Sequence, residues 1–288
     1  LQPIANLMFM RDPCISIYDT IVPSRMTYAA RRREPLIVGF ALRWGMGVAA
    51  EQFLEIPHQQ DEPHRYSSFE GGDFLVLSDE ALAIGSSQRT SPQAIERLST
   101  LLMERHPKLQ RVYAVLMPEE RSMMHLDTIL SQADHEHFLG YLPLITGQGF
   151  GDPLKVALLE RDRPPRLVER MTVHDVLRDE FGDNVRVVSC GGSDPVHQAR
   201  EQWTDGANGF CIKPGHVILY GRNQMTLKAL RELGYEQVKL GAVLSREERR
   251  NLVVNANAQE RVAYSFVGSE LSRARGGPRC LTMPLSRA

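Results

Sequence analysis

With 288 residues, 42% of them apolar, the chain has material for one large globular domain or two small ones. Lys and Arg total 34 against 35 Asp and Glu, so there is no overall positive field to hold nucleic acid or an anionic membrane. No apolar run approaches the ~20 residues of a bilayer span, and Leu1–Arg11 lacks the layout of a secretory leader. Four scattered cysteines (Cys14, Cys190, Cys211, Cys280) are too few for a disulfide scaffold, which favours a reducing, cytoplasmic setting.

The chain opens at Leu1 without an initiator Met, in a stretch that reads like the middle of a protein. Further along, Phe74–Leu77 and Ala81–Gly85 are predicted strands joined by a Ser-Asp-Glu turn. Ser91-Pro92 supplies an N-cap followed by a first-turn proline, and Ile95, Leu98 and Leu102 fall at helical spacing, so 92–105 is predicted helix. Val112–Leu116 is the next strand. The second half repeats this grammar. Thr172 caps a helix carrying Val173, Val176, Leu177 and Phe181 that stops at Gly182, and Val185–Ser189 is a strand. Phe210–Ile212 and Val217–Tyr220 pair around a Lys-Pro-Gly-His turn, Met225–Leu233 is a helix and Val238–Leu240 a strand. Glu160–Pro165 reads as a loop and Ser245–Glu260 as a polar, helix-compatible excursion. Strand–turn–strand–helix–strand thus recurs near 74–116 and 210–240, the rhythm of an α+β or α/β architecture.

Five short stretches combine tight turns with chemically capable side chains: Asn6–Asp12, Glu70–Asp73, His125–Asp127, Asp205–Cys211 and Arg275–Cys280. Taken singly, each has a plainer explanation. Glu70-Gly71-Gly72-Asp73 could be an acidic turn before a strand. Strand alternation would put His125 and Asp127 on one side and Leu126 on the other. Cys280 follows Arg273, Arg275 and Arg279, and neighbouring cations favour a thiolate. A lone cysteine is also a common buried hydrophobe. Residue type alone leaves these two readings of Cys280 evenly weighed.

Together, the stretches carry a resemblance. Asn-Leu-Met-Phe-Met-Arg-Asp (6–12), Ala-Arg-Arg-Arg-Glu (30–34), Glu-Gly-Gly-Asp (70–73), Arg89, Met-His-Leu-Asp-Thr (124–128), Arg-Glu-Gln-Trp-Thr-Asp-Gly-Ala-Asn (200–208) and Arg-Gly-Gly-Pro-Arg-Cys-Leu-Thr-Met-Pro-Leu (275–285) resemble the arginine deiminases, in that order and at similar spacing. That family belongs to the guanidine-modifying, or pentein, superfamily. The resemblance implies a pseudo-fivefold α/β propeller of ββαβ units, with residues 1–288 a single catalytic propeller domain. It also implies hydrolysis of L-arginine to L-citrulline and ammonia. Cys280 would attack the guanidinium carbon to give a thiouronium, with His125 as acid and then base and Glu70 orienting His125. Asp12 and Asp127 would clamp the substrate guanidinium, whose fork of N–H donors matches carboxylates. Arg31, Arg89 and Asn6 would take the α-carboxylate, carbonyls near Phe9 and Ala274 the α-amino group, and Arg275 would gate the pocket.

No metal or other cofactor is expected, since His58, His64, His135 and His137 form no established zinc spacing. Neither nucleic acid nor membrane is an expected partner; the expected ligand is L-arginine, and a homo-oligomer is compatible with the chain. Tyr28, Trp203 and His64 read as packing residues and Asp73 as support for the Glu70 turn. Ala274 stands where the family usually has Gly and Leu281 where it usually has Met. The family's N-terminal propeller unit and inserted helical bundle have no counterpart before Asn6. The chain therefore reads as a fragment, expected to fold poorly or lack activity alone. The rival readings are an amidinotransferase, a dimethylarginine hydrolase, or a non-catalytic arginine-binding protein.

Overall fold

The computed structural model describes residues 3–56, 64, 67–147, 152–168, 171–241 and 243–285; His58 and Leu1 lie outside them. In chain order the regular elements begin with β1 (Cys14–Ile17), β2 (Thr20–Pro23), α1 (Glu34–Phe40), β3 (Phe74–Val76), β4 (Ala81–Ser86), α2 (Pro92–Arg105) and β5 (Arg111–Leu116). There follow β6 (Leu130–Gln132), β7 (His137–Gly140), α3 (Leu142–Thr146), β8 (Val156–Glu160), β9 (Arg166–Val168), α4 (Val173–Phe181), β10 (Arg186–Ser189) and α5 (Pro195–Trp203). The remainder are β11 (Phe210–Lys213), β12 (His216–Tyr220), α6 (Gln224–Glu232), β13 (Glu236–Leu240), α7 (Arg246–Ala256), β14 (Val262–Phe266) and α8 (Ser269–Arg273). This is a mixed α/β fold with several sheets. Among the described residues no helix is long and apolar enough to cross a membrane.

The chain divides into two compact units. The first comprises Leu1–Leu126, Leu154–Met171 and Cys280–Ala288. Its main sheet has the order β3-β4-β5-β8-β9. β4 runs antiparallel to β3 and parallel to β5, so the crossover through α2 completes the predicted strand–turn–strand–helix–strand unit. α2 begins where the sequence signals it: Ser91 Oγ accepts from the Ala94 N–H at 3.2 Å, and Pro92 fills the first turn. Its inner face (Ala94, Ile95, Leu98, Leu102) packs with Leu82, Ile84, Val112 and Ala114 of the sheet in one buried cluster. That packing fixes the chain reversals at both ends of β3 and β4, the places from which Glu70, Asp73 and Arg89 project.

The second unit comprises Asp127–Pro153 and Thr172–Arg279. It holds a sheet of order β10-β7-β6 and another of order β11-β12-β14-β13. α4 is closed by the Thr172–Asp175 capping box and ends at Gly182 in a positive-φ conformation, as read from the sequence. The polar excursion at 245–260 contains α7, started by a Ser245–Glu248 capping box. The 210–240 repeat departs from simple neighbour order, because β14 inserts between β12 and β13 and pairs in parallel with both. Burial explains this: Val262, Ala263, Tyr264 and Ser265 are all buried, whereas β13 exposes Glu236 and Lys239 and suits the edge.

One local expectation fails. His125 and Asp127 do not share the face of a strand, since Leu126–Thr128 is a 3-10 turn. The Leu126 side chain is fully buried and its N–H donates to Asp73 Oδ1 at 2.9 Å, which diverts the backbone from any strand ladder.

The Glu70-Gly71-Gly72-Asp73 turn needs its glycines for room. A Cβ on Gly71 would sit 2.0 Å from the Arg11 carbonyl oxygen, and one on Gly72 would sit 2.5 Å from His125 Nδ1. Gly71→Ala should therefore cost about 1–3 kcal/mol by overpacking and pull Glu70 off the Asp12 segment. A lowered denaturation midpoint together with lost activity checks this; wild-type stability and turnover would show that the segments do not meet.

Candidate active site

Asp12 follows Arg11, whose N–H donates to the Cys280 carbonyl at 3.1 Å, while the Asp12 carbonyl accepts from the Gly71 N–H at 3.2 Å. Two backbone bonds thus tie the Asp12 segment to Cys280 on one side and to the Glu70 turn on the other. All of these groups lie in the first unit and are buried, Cys280 included.

His125 packs against the same turn. Its Nε2 lies 3.1 Å from Glu70 Oε2 and its Nδ1 3.7 Å from Asp12 Oδ1. Burial opposes charging the imidazole, but Asp12, the Glu70 hydrogen bond and Asp73 outweigh it and push the pKa up to about 9. Burial would likewise favour the neutral acid of Glu70. The bond to His125 and the charges of His125, Arg89 and Arg31 prevail, and hold its carboxyl well below the usual range. At neutral pH the pair is therefore an imidazolium against a carboxylate.

Asp73 is the brace behind them. Its Oδ2 accepts from Thr90 at 2.6 Å and Ser87 at 2.7 Å, and its Oδ1 from the Leu126 amide. Burial pushes its pKa up to about 7 against the pull of His125 and these bonds. It thereby fastens the 87–90 turn and the residue after His125 to the Glu70 turn, the supporting place read from sequence.

The two arginines expected at a carboxylate pocket are also here. Arg31 Nη1 donates to Asp12 Oδ2 at 2.8 Å and lies 3.6 Å from Glu70 Oε2, while its other guanidine nitrogens bond Glu34. Burial opposes this charge, but Asp12, Glu34 and Glu70 overcome it and keep Arg31 protonated. Arg89 Nη1 donates to Glu70 Oε2 at 3.3 Å, and its guanidinium lies over the Tyr28 ring at 4.4 Å. Asp12, Glu70 and His125 place three potential ligand atoms within 4.8 Å of one another, but here the two acids already meet a guanidinium. Asn6 is exposed and its backbone carbonyl accepts from the Phe9 N–H; Phe9 is buried.

The second unit holds the remaining predicted residues. Asp127 is fully buried, and its Oδ2 accepts from Arg279 Nη1 at 2.6 Å. Asn208 Nδ2 donates to the Asp127 carbonyl at 2.9 Å, fixing the backbone that carries it. Arg275 adopts a positive φ of 69° and donates from Nη1 to the Trp203 carbonyl at 2.7 Å, its guanidinium over the Trp203 ring at 3.9 Å.

Three residues have partners the sequence reading did not assign: Glu34, Arg279, read only as a cation before Cys280, and Trp203, read as packing. Glu34 had a signal in the i, i+3 spacing from Arg31. Arg279 stands 152 positions from Asp127, and nothing local announces such a pair. The other three cysteines are ill suited to nucleophilic work, because burial raises their pKa values: Cys14 to about 12, Cys211 to about 11, and Cys190 higher.

A pH dependence follows from the His125 shift. An acid step that needs the imidazolium should persist through neutrality and fall off as pH rises through about 9. Glu70→Gln removes the carboxylate that favours the charged ring, so the alkaline limb should move to lower pH. A kcat/KM profile with an unmoved limb would remove His125 from the protonated role.

Known proteins resemble the chain over its length. The family model for arginine deiminase matches residues 1–287. The arginine deiminase of Listeria monocytogenes serotype 4a (strain HCC23) is 37% identical over 292 residues, covering 100% of this chain and 62% of that protein. Among solved structures, AgrE in ternary complex with ornithine and NAD+ superposes with a TM-score of 0.60 at 14% identity, covering 98% of this chain and 30% of that one. A dimethylarginine dimethylaminohydrolase adduct with S-methyl-L-thiocitrulline superposes with a TM-score of 0.59 at 16% identity, covering 96% and 76% respectively. These structural likenesses concern the fold. The chain spans about 62% of the length of the Listeria relative. With a family model matched across 287 residues, and the motif residues gathered into buried acid–His and acid–Arg clusters, the chain belongs to the arginine deiminase family.

Proposed function

We propose that the protein hydrolyses L-arginine to L-citrulline and ammonia through a thiouronium on Cys280, on the propeller framework of its family. The observation that carries this reading is the chain's own guanidinium at the acid cluster: Arg31 bonds Asp12 at 2.8 Å beside Glu70 and His125. A group of that shape and charge is what those acids fit.

The Cys280 thiolate attacks the guanidinium carbon, forming a C–S bond and a tetrahedral adduct. The C–N bond then breaks, His125 gives its proton to the departing nitrogen, and ammonia leaves. Water adds to the thiouronium carbon with His125 now accepting one of its protons; the C–S bond breaks, the adduct's hydroxyl proton passes to solvent, where ammonia takes it up as ammonium, and citrulline and the thiolate are released. Asp12 and Asp127 hold the guanidinium nitrogens; Asn6, Phe9, Arg31 and Arg89 belong to the substrate's α-carbon end. For Arg31 and Arg89 this requires exchanging a protein carboxylate for the substrate's.

The test is the stoichiometry of the purified protein acting on L-arginine. One ammonia and one citrulline per arginine, with no dependence on an added amine, is the expected result. Ornithine with a transferred amidino group would make it an amidinotransferase. Release of methylamine from methylated arginine, with arginine untouched, would make it a dimethylarginine hydrolase. Arginine binding without turnover would make it a binding protein.

A further inference from the structure

The turn that follows α5 grips two charged groups at once. Asn208 holds the Asp127 backbone, while Trp203 accepts from Arg275 through its carbonyl and lies under the Arg275 guanidinium with its ring. Between these contacts stands Asp205, only 3% exposed, with Oδ2 buried and without a hydrogen bond. A buried carboxylate oxygen lacking a donor is costly unless a cation answers it.

Asp205 and Arg275 are also two of the four described non-glycine residues with positive φ, at 62° and 69°. Such backbone persists only where its surroundings enforce it, and it concentrates at functional places. Gly206, next in the turn, has no room for a Cβ, which would lie 2.7 Å from Cys190 Sγ. The turn is thus wedged in place from behind.

We propose that Trp203 and Asp205 form a cation seat that positions the Arg275 guanidinium, Trp203 through its ring face and carbonyl and Asp205 as the buried counter-charge. The charges acting on Asp205 are Arg275 and Arg222 in its favour and Asp127, itself paired with Arg279, against it. Cys190 and Glu201 are also buried: Glu201 bonds the start of α6, and the Cys190 thiol responds to both Glu201 and Asp205. Burial, the largest influence, pushes the Asp205 carboxyl up to about 7. At higher pH the seat is charged and holds Arg275; below neutrality Asp205 protonates and the hold weakens. Trp203 and Asp205 are positioning residues, since they act through Arg275. Only the catalytic meaning of the seat rests on the proposed deiminase reading, in which Arg275 gates the substrate; the seat itself needs no substrate.

The experiment uses the indole. The chain has two tryptophans, and Trp44 is well exposed, so Trp44→Phe leaves Trp203 as sole reporter. Its emission is recorded without ligand from about pH 5 to about pH 9, spanning the shifted carboxylate. The seat predicts a step in intensity and emission maximum with its midpoint near neutrality. In this background Asp205→Asn should freeze emission at the acid-side value, and Arg275→Met should abolish the step. Arg275→Lys, which keeps charge without the planar stack, should reduce it. A flat titration in Trp44→Phe overturns the seat without recourse to any further variant, as does a step that survives Asp205→Asn. Citrulline formation by Trp44→Phe is assayed in parallel. Turnover without the step removes the seat and leaves the deiminase reading; the step without turnover does the reverse.

Discussion

Cys280→Ala should abolish citrulline formation, lowering kcat by about 10⁴-fold or more, the scale on which covalent catalysts lose rate with their nucleophile. The effect is large because no other described thiol can substitute. Cys14, Cys190 and Cys211 belong to buried or partly buried surroundings that raise their pKa values. Cys280 is buried as well, and its carbonyl accepts from Arg11, the neighbour of Asp12. In the proposed mechanism the nucleophile is thus tied through the backbone to the acid that holds the guanidinium, and removing Sγ leaves that backbone bond in place. Arginine affinity should stay within a few-fold of wild type while turnover disappears. Calorimetry beside a citrulline assay checks both halves, and turnover surviving in Cys280→Ala would end the covalent account.

The second large effect concerns stability. Glu70 is fully buried and answers His125, Arg89 and Arg31 together. Glu70→Ala strands these cations in a place with little solvent to screen them, and breaking a buried pair from one side costs about 3–5 kcal/mol. The cost should depend on pH in a defined way. The Glu70 pKa is depressed in the fold, so its contribution is present above the ordinary glutamate value of 4.5 and is lost as pH falls through the lower folded value. The His125 pKa is raised, so its contribution is full below the ordinary histidine value of 6.5 and is lost as pH rises through about 9. The gap between wild type and Glu70→Ala should thus be widest from about pH 4.5 to about pH 6.5. Urea denaturation at pH 3, 6 and 10 (about one value on each side of that window and one within) reads it out, and an unchanging gap would mean that the cluster is not ionised as described.

The sequence disclosed what is local. Ser91-Pro92 announced α2, Thr172 and Gly182 bounded α4, and the two glycines after Glu70 marked a turn too tight for side chains. The order of motifs disclosed the family. Geometry that depends on residues far apart was hidden. Leu126 is drawn into a turn by Asp73, 53 positions earlier, and strand alternation around His125 has no knowledge of that bond. β14 takes the place beside β12 because of its burial in the assembled sheet, not because of its place in the chain.

Charge pairing was the least legible feature. Arg31 was read as a partner for a substrate carboxylate, and the fold shows what it does meanwhile: it neutralises Asp12 and Glu70. Arg279 does the same for Asp127. A cluster of buried acids shaped for a guanidinium carries a Coulombic penalty unless a cation is present. The fold supplies that cation from its own arginines, Arg31 to Asp12 and Glu70 and Arg279 to Asp127, and the sequence pattern contained them without saying which would meet which.

The central claim is the bond between Cys280 and the substrate carbon. Its most direct measurement is acid quenching of the protein during turnover of L-arginine, followed by intact and peptide mass analysis. The account predicts an adduct weighing arginine less ammonia, confined to the peptide containing Cys280 and discharged to citrulline on further incubation. Citrulline accumulating with Cys280 never modified, or an adduct mapped to another residue, would contradict it.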